Sequence, residues 1–230
     1  MFLLAFLAFL ACPAEQLGVA VPQGGKGALS MEDFQRDVNL LSRSERRSGM
    51  PGFQLGREEL QNRMVQMHLL PAYGKSYRGP ALGTEVNICG ERTGASGKAV
   101  VIVALDQGKG AHRSSAPLAA IISLAKTYDS PKPPPYTLLF CRVPGGDRSA
   151  WTQHPALPMD QTRAIFWLSD MGEGSIQIQQ EQGTPLNFDV HGARQEWFGT
   201  DQDSADRVHH PSLVTQTSAL RDAVDQAMKD

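Results

Sequence analysis

Residues 99–105 read AVVIVAL, an apolar run with no polar interruption. A strand with one wet face alternates apolar and polar residues, so a continuous β-branched run has both faces covered. The run predicts a central strand of a mostly parallel sheet with helices on either side. It stops at DQGKGAHRSS (106–115), and Leu118, Ile121, Ile122 and Ala125 then recur at helical spacing. Strand, polar loop and helix in that order set the loop at the carboxyl end of the sheet, where α/β proteins bind ligands. Ser114 or Ser115 is the expected N-cap of the helix.

The rest of the chain repeats this alternation. Ser30 and Asp33 make a capping-box-like start, and Phe34, Val38 and Leu41 follow on one helical face. SRSERRSGMPG (42–52) breaks the pattern. A second helix is expected from about Pro51 to Leu70, carrying Phe53, Leu60, Met64 and Met67, and Pro71 ends it. Further strands are expected at 85–91, 136–143 and 163–170, with an alternating edge strand or hairpin arm at 175–181. Leu213, Leu220, Val224 and Met228 mark a last helix over 212–229. The sum is one three-layer α/β domain over 30–230, and 230 residues suffice for its core.

The first twelve residues, MFLLAFLAFLAC, are too short an apolar run to span a bilayer but have the length of a signal-peptide core. The run ends at Cys12, as in a bacterial lipoprotein signal, so Cys12 is the candidate lipidation site. Residues 13–29 are punctuated by Gly and Pro and read as a flexible tether. A secreted, periplasmic or cell-envelope location follows as the expectation, with membrane contact only through a lipid anchor. The net charge of −2 excludes nucleic acid as an obvious partner. Cys89 and Cys141 sit in separate expected strands without a C-x-x-C pattern and read as two buried free thiols, with a disulfide between neighbouring strands as the alternative in an oxidising compartment.

RRSGMPGFQLGREELQNRMVQMHLLP (46–71), NICGERTGASGKAVVIVAL (87–105), PPPYTLLFCRVPGGD (133–147) and HPALPMDQTRAIFWLSDMGEGS (154–175), in this order, resemble one family. It is the co-catalytic zinc exopeptidase family of the bacterial leucyl-aminopeptidase type. The resemblance extends from about residue 34 to residue 182. It implies that family's α/β fold, with a shortened C-terminal part lacking the last strand and some of the substrate pocket. In the family two zinc ions, bridged by a carboxylate and a water, sit at strand ends, and a Glu deprotonates the water.

Carried over position by position, the resemblance implies a degenerate site. Leu105 stands where the first His ligand is expected, and His112 stands where the bridging Asp is expected. Arg113 adds a cation beside the metal position, which opposes binding. Gly146 occupies the place of the general base, and Asp147 that of the next carboxylate ligand. Asp170, in Ser169-Asp170-Met171, is retained, and Gln202 is the counterpart of the last His. Two carboxylates do not make a zinc site, which needs three or four donors. The expectation is therefore an inactive relative with no cofactor, binding a peptide or an envelope partner through the vestigial cleft. The alternative is a hydrolase with one metal, zinc, held by His112, Asp147 and Asp170. Against it stands the ordinary reading, with Asp147 and Asp170 in ion pairs with Arg113, Arg142 or Arg148. GKG (108–110) lacks the spacing of a phosphate loop. His209-His210 reads as a surface pair, and Trp151, Trp167 and Trp197 as core or groove walls.

Overall fold

The computed structural model describes residues 28–43, 52–82 and 85–229. The expected signal segment, Cys12 and the tether up to residue 27 lie outside the described residues, as do residues 44–51. Leu29, the last residue of the expected tether, is buried in the core.

Among the described residues, five α-helices and eight strands follow one another: α1 (Met31–Ser42), α2 (Gly52–Gln66), β1 (Leu70–Pro71), β2 (Arg78–Leu82), β3 (Glu85–Arg92), β4 (Ala99–Asp106), α3 (Ala116–Thr127), β5 (Thr137–Pro144), α4 (Ser149–Gln153), β6 (Thr162–Ser169), β7 (Gln177–Glu181), β8 (Leu186–His191) and α5 (His210–Ala227). They build one mixed sheet in the order β1-β3-β5-β4-β6-β8-β7, with β2 also paired to β3. The four inner strands β5, β4, β6 and β8 are parallel, and the outer pairings are antiparallel. The fold is the expected α/β class.

Every residue of β4 is buried. Val100, Ile102 and Ala104 face the larger core with Phe140, Phe166 and Leu168, beneath α1, α2, α3 and α5. Val101, Val103 and Leu105 face the opposite core with Leu139, Val143, Ile165 and Trp167, where Trp151 of α4 closes the layer. The period-2 geometry of a strand divides the run between these two layers. Phe166 stacks on Phe188 at 4.6 Å between ring centroids, which adds to the area both rings bury.

Three local expectations change, and three elements are added. Cys89 and Cys141 are joined in a disulfide rather than free. β3 and β5 run antiparallel with Cys89 directly opposite Cys141, and opposed side chains on such strands are near neighbours. Helix α2 stops at Gln66 rather than near Leu70: His68 takes a left-handed backbone at φ 54°. Its N–H reaches Val65 O at 3.0 Å and Leu69 N–H reaches Met64 O at 3.0 Å, the Schellman closure of a helix end. Strands β2 and β8 and the five-residue α4 carry too little periodicity to be expected from sequence. Pro80 also counts against β2 as a strand, which an outer position tolerates. Neither Ser114 nor Ser115 caps α3, because a π-helical turn over Ala111–Ser115 runs straight into it.

Candidate functional site at the mouth of the sheet

Strand order β5-β4-β6 makes β4 a topological switch point. Its own crossover, α3, packs on one face, and α4, which leads from β5 to β6, packs on the other. The crevice outside the carboxyl ends of these strands is where such sheets bind ligands. The positions matched to the ligands and base of the zinc exopeptidases, Leu105, His112, Gly146, Asp147, Asp170 and Gln202, end or follow these strands or lie in the 199–206 loop packed against His112.

The first group follows β4. Leu105 turns into the smaller core. Asp106 is buried, accepts from the Gly108 N–H at 2.9 Å, and pairs with Arg142 Nε at 2.8 Å. Arg142 is thereby committed to Asp106 and, at 3.5 Å, to Glu85. Gln107 Oε1 accepts from Arg113 Nη1 at 3.2 Å. Its side chain also lies across Gly146: a Cβ added there would stand 2.6 Å from Gln107 Cγ. Gly146 has φ 68°, a backbone that side chains rarely adopt. The position matched to the general base is therefore closed by both backbone and packing.

The second group is at the helix start. His112 is fully buried, stacked on Phe198 at 4.2 Å and edge-on to Trp197 at 5.1 Å. Its Nδ1 lies 2.8 Å from Asp203 Oδ1, a geometry in which the ring donates to the carboxylate. The same oxygen accepts the His112 backbone N–H at 2.9 Å, and Oδ2 accepts the Gly199 N–H at 2.8 Å. Burial raises the Asp203 carboxyl, and these hydrogen bonds outweigh it, holding the group below the usual carboxylate range. Asp203 thus supplies the cap expected of a serine, from 91 residues away. Beyond it, a cavity of about 450 Å³ is lined by Asn39, Arg43, Lys109, Ala111, Asp201 and Ser204.

The third group follows β6. Asp170 has φ 46° and a side chain that is 5% exposed. Arg113 Nε stands 3.3 Å from its Oδ1, and Arg194 Nε stands 2.9 Å from its Oδ2. Asp147 lies elsewhere in the loop after β5, accepting from the N–H and hydroxyl of Ser149 at the start of α4. These hydrogen bonds hold its carboxyl low. Arg148 pairs with Glu181 and Asp189 instead. Gln202 is exposed, and the Lys109–Asp201 ion pair is beside it.

His112, Asp147 and Asp170 are therefore engaged in three separate sets of contacts. Among the described residues, no three His, Cys, Asp or Glu side chains are grouped to hold a metal ion. The donor set at the family's ligand positions does not fit a zinc pair. Asp203 and Arg194 were not marked by the sequence. Asp203 lies in GTDQDSAD (199–206), where no local pattern separates it from its acidic neighbours.

The fold is shared with known enzymes. A leucine aminopeptidase precursor from Bacteroides thetaiotaomicron VPI-5482 is similar with a TM-score of 0.68 and 12% identity, over 91% of this chain and 99% of that one. A Zn-dependent exopeptidase from Parabacteroides distasonis ATCC 8503 matches with a TM-score of 0.67 and 11% identity, over 92% and 100%. A Bacteroides thetaiotaomicron glutaminyl cyclase bound to N-acetylhistamine matches with a TM-score of 0.67 and 11% identity, over 91% and 99%. Against the aminopeptidase from Aneurinibacillus sp. strain AM-1, the chain spans about half, 48%, of that protein's length. No known family model and no curated protein sequence matches the chain. The architecture is that of zinc-dependent aminopeptidases and glutaminyl cyclases, and at these identities the likeness is one of fold alone. No helix among the described residues is long and apolar enough to cross a membrane.

Proposed function

We propose that this chain is a zinc-aminopeptidase-like domain that has ceased to be a hydrolase and acts by binding, with a peptide or an envelope partner held at the mouth of the sheet. One observation carries the reading: Asp170, the retained ligand position, is engaged by two arginines. A dication there would have to displace or face both guanidiniums, at a Coulombic cost that a two-carboxylate set does not offset. Leu105 has no donor atom, and Gly146 has no side chain. The same contacts speak against a single metal on His112, Asp147 and Asp170. His112 would first have to leave Asp203 and its aromatic pocket.

Export belongs to the reading. The Cys89–Cys141 disulfide suits an oxidising compartment, as does the apolar run that ends at Cys12. The experiment is metal analysis of the purified chain after zinc loading and dialysis, together with hydrolysis of fluorogenic aminoacyl substrates. Substoichiometric zinc and no turnover above the background rate are expected. Stoichiometric zinc with chelator-sensitive turnover would overturn the proposal.

A further inference from the structure

Two guanidiniums converge on one carboxylate at the mouth of the sheet, and both remain partly open to solvent. The side chain of Asp170 is 5% exposed, that of Arg113 39% and that of Arg194 59%. The two guanidiniums form ion pairs with different oxygens of Asp170. A guanidinium carries five N–H donors in a planar fork. Apart from the Arg113 Nη1 bond to Gln107, the outer edges of both forks have donors to spare. Asp170 therefore acts as a buried template that keeps two like charges side by side, leaving one unit of positive charge in excess.

The arrangement is built in from behind. Arg113 Cδ lies where a Cβ on Gly199 would come within 2.8 Å, so a glycine is needed for the arginine to pass. Asp203, on the other side of Gly199, is committed to His112 and the helix start. A third guanidinium, Arg207, lies over the Trp197 ring at 5.1 Å, on the same loop as Gly199. We infer that Arg113 and Arg194, aligned by Asp170, form a subsite for one carboxylate, supplied by a peptide C-terminus or by a small acid. Paired guanidinium forks match the two oxygens and single charge of a carboxylate. A dianion would exceed the one-unit surplus. This inference rests on the proposed binding role, and it names the chemistry at one end of the cleft.

The test is a calorimetric titration of the full chain with three probes: N-acetyl-dialanine, its C-terminal amide and acetate. The free acid binds, and the amide binds at least tenfold more weakly. Arg194→Gln weakens the acid by roughly tenfold, as loss of one charge-assisted hydrogen bond does, and Arg194→Lys recovers part of the loss by keeping the charge without the fork. Arg194 is largely exposed and Arg113 still faces Asp170, so these variants stay folded, which a cooperative melting transition verifies. Acetate as strong as the peptide acid identifies a small acid as the source, and weaker acetate identifies a peptide terminus. Equal binding of acid and amide overturns the carboxylate subsite and leaves the binding role standing. Absence of acid binding, or an unchanged affinity in Arg194→Gln, overturns the subsite as well. Failure of the binding role itself has a different signature, zinc-dependent turnover.

Discussion

Strands β4, β5 and β6 and the loops that follow them are joined end to end, yet different forces hold them. The strands are apolar runs whose partners are other apolar runs, split between two cores. The loops are held by polar pairs that cross long stretches of chain, such as Asp203 with His112 and Arg194 with Asp170. Area burial is non-directional and tolerates exchange among apolar residues of similar volume. A buried ion pair depends on both partners, and losing one leaves an uncompensated charge. A frame of the first kind can persist while the chemistry at its mouth changes, and it is the frame that this chain shares with its structural neighbours.

The comparison can be broken first at the frame. Phe166→Ala should lower global stability by about 3–5 kcal/mol, because the ring is fully buried and stacked on Phe188. Chemical denaturation checks this, and a loss below about 1 kcal/mol would mean that the strands are not the cooperative unit.

A change at the mouth is smaller and depends on pH. Asp203→Asn keeps the shape and removes the charge, and should cost about 2–3 kcal/mol at neutral pH. The folded Asp203 carboxyl lies below its unfolded value near 3.8. Its contribution is therefore fully present above that value and fades as pH falls through the folded one. The gap between the parent chain and the variant should narrow on acidification. Near-ultraviolet dichroism of the Trp197 and Phe198 cluster should change while the far-ultraviolet signal stays. A gap independent of pH would show that Asp203 acts by shape alone.

The smallest effect is expected at Asp147. It is exposed, and its contacts are local, to Ser149 at the head of a five-residue helix. Asp147→Ala should lower the melting temperature by less than Asp203→Asn does, since its contacts are those of an exposed helix start, and thermal melting reads it. A loss as large as that at Asp203 would place Asp147 among the long-range pairs.

The legibility of the chain follows the same division. The runs at 99–105, 136–143 and 163–170 predicted three strands and their layers, because a buried parallel strand is written in consecutive residues. The alternating 175–181 run, which supplies the edge strand β7, was legible for the same local reason. The helix start was misread at Ser114 and Ser115. The cap comes from Asp203, and no rule of local spacing reaches that far. The choice between free thiols and a disulfide was not legible, because sequence does not state the register of β3 against β5.

At the candidate site, what the resemblance implies was readable one residue at a time. Leu105 cannot donate to a metal, and Gly146 cannot act as a base, whatever surrounds them. What stands in their place was not readable. Gln107 closes over Gly146, His112 turns into an aromatic pocket, and Arg194 joins Arg113 on Asp170. Local composition and periodicity by themselves determined the sheet and its two covered faces, while a lost ligand set is what the resemblance alone implied. Tertiary structure alone decided which charges meet, because a pair 91 residues apart is chosen by the path of the backbone and not by any pattern along it.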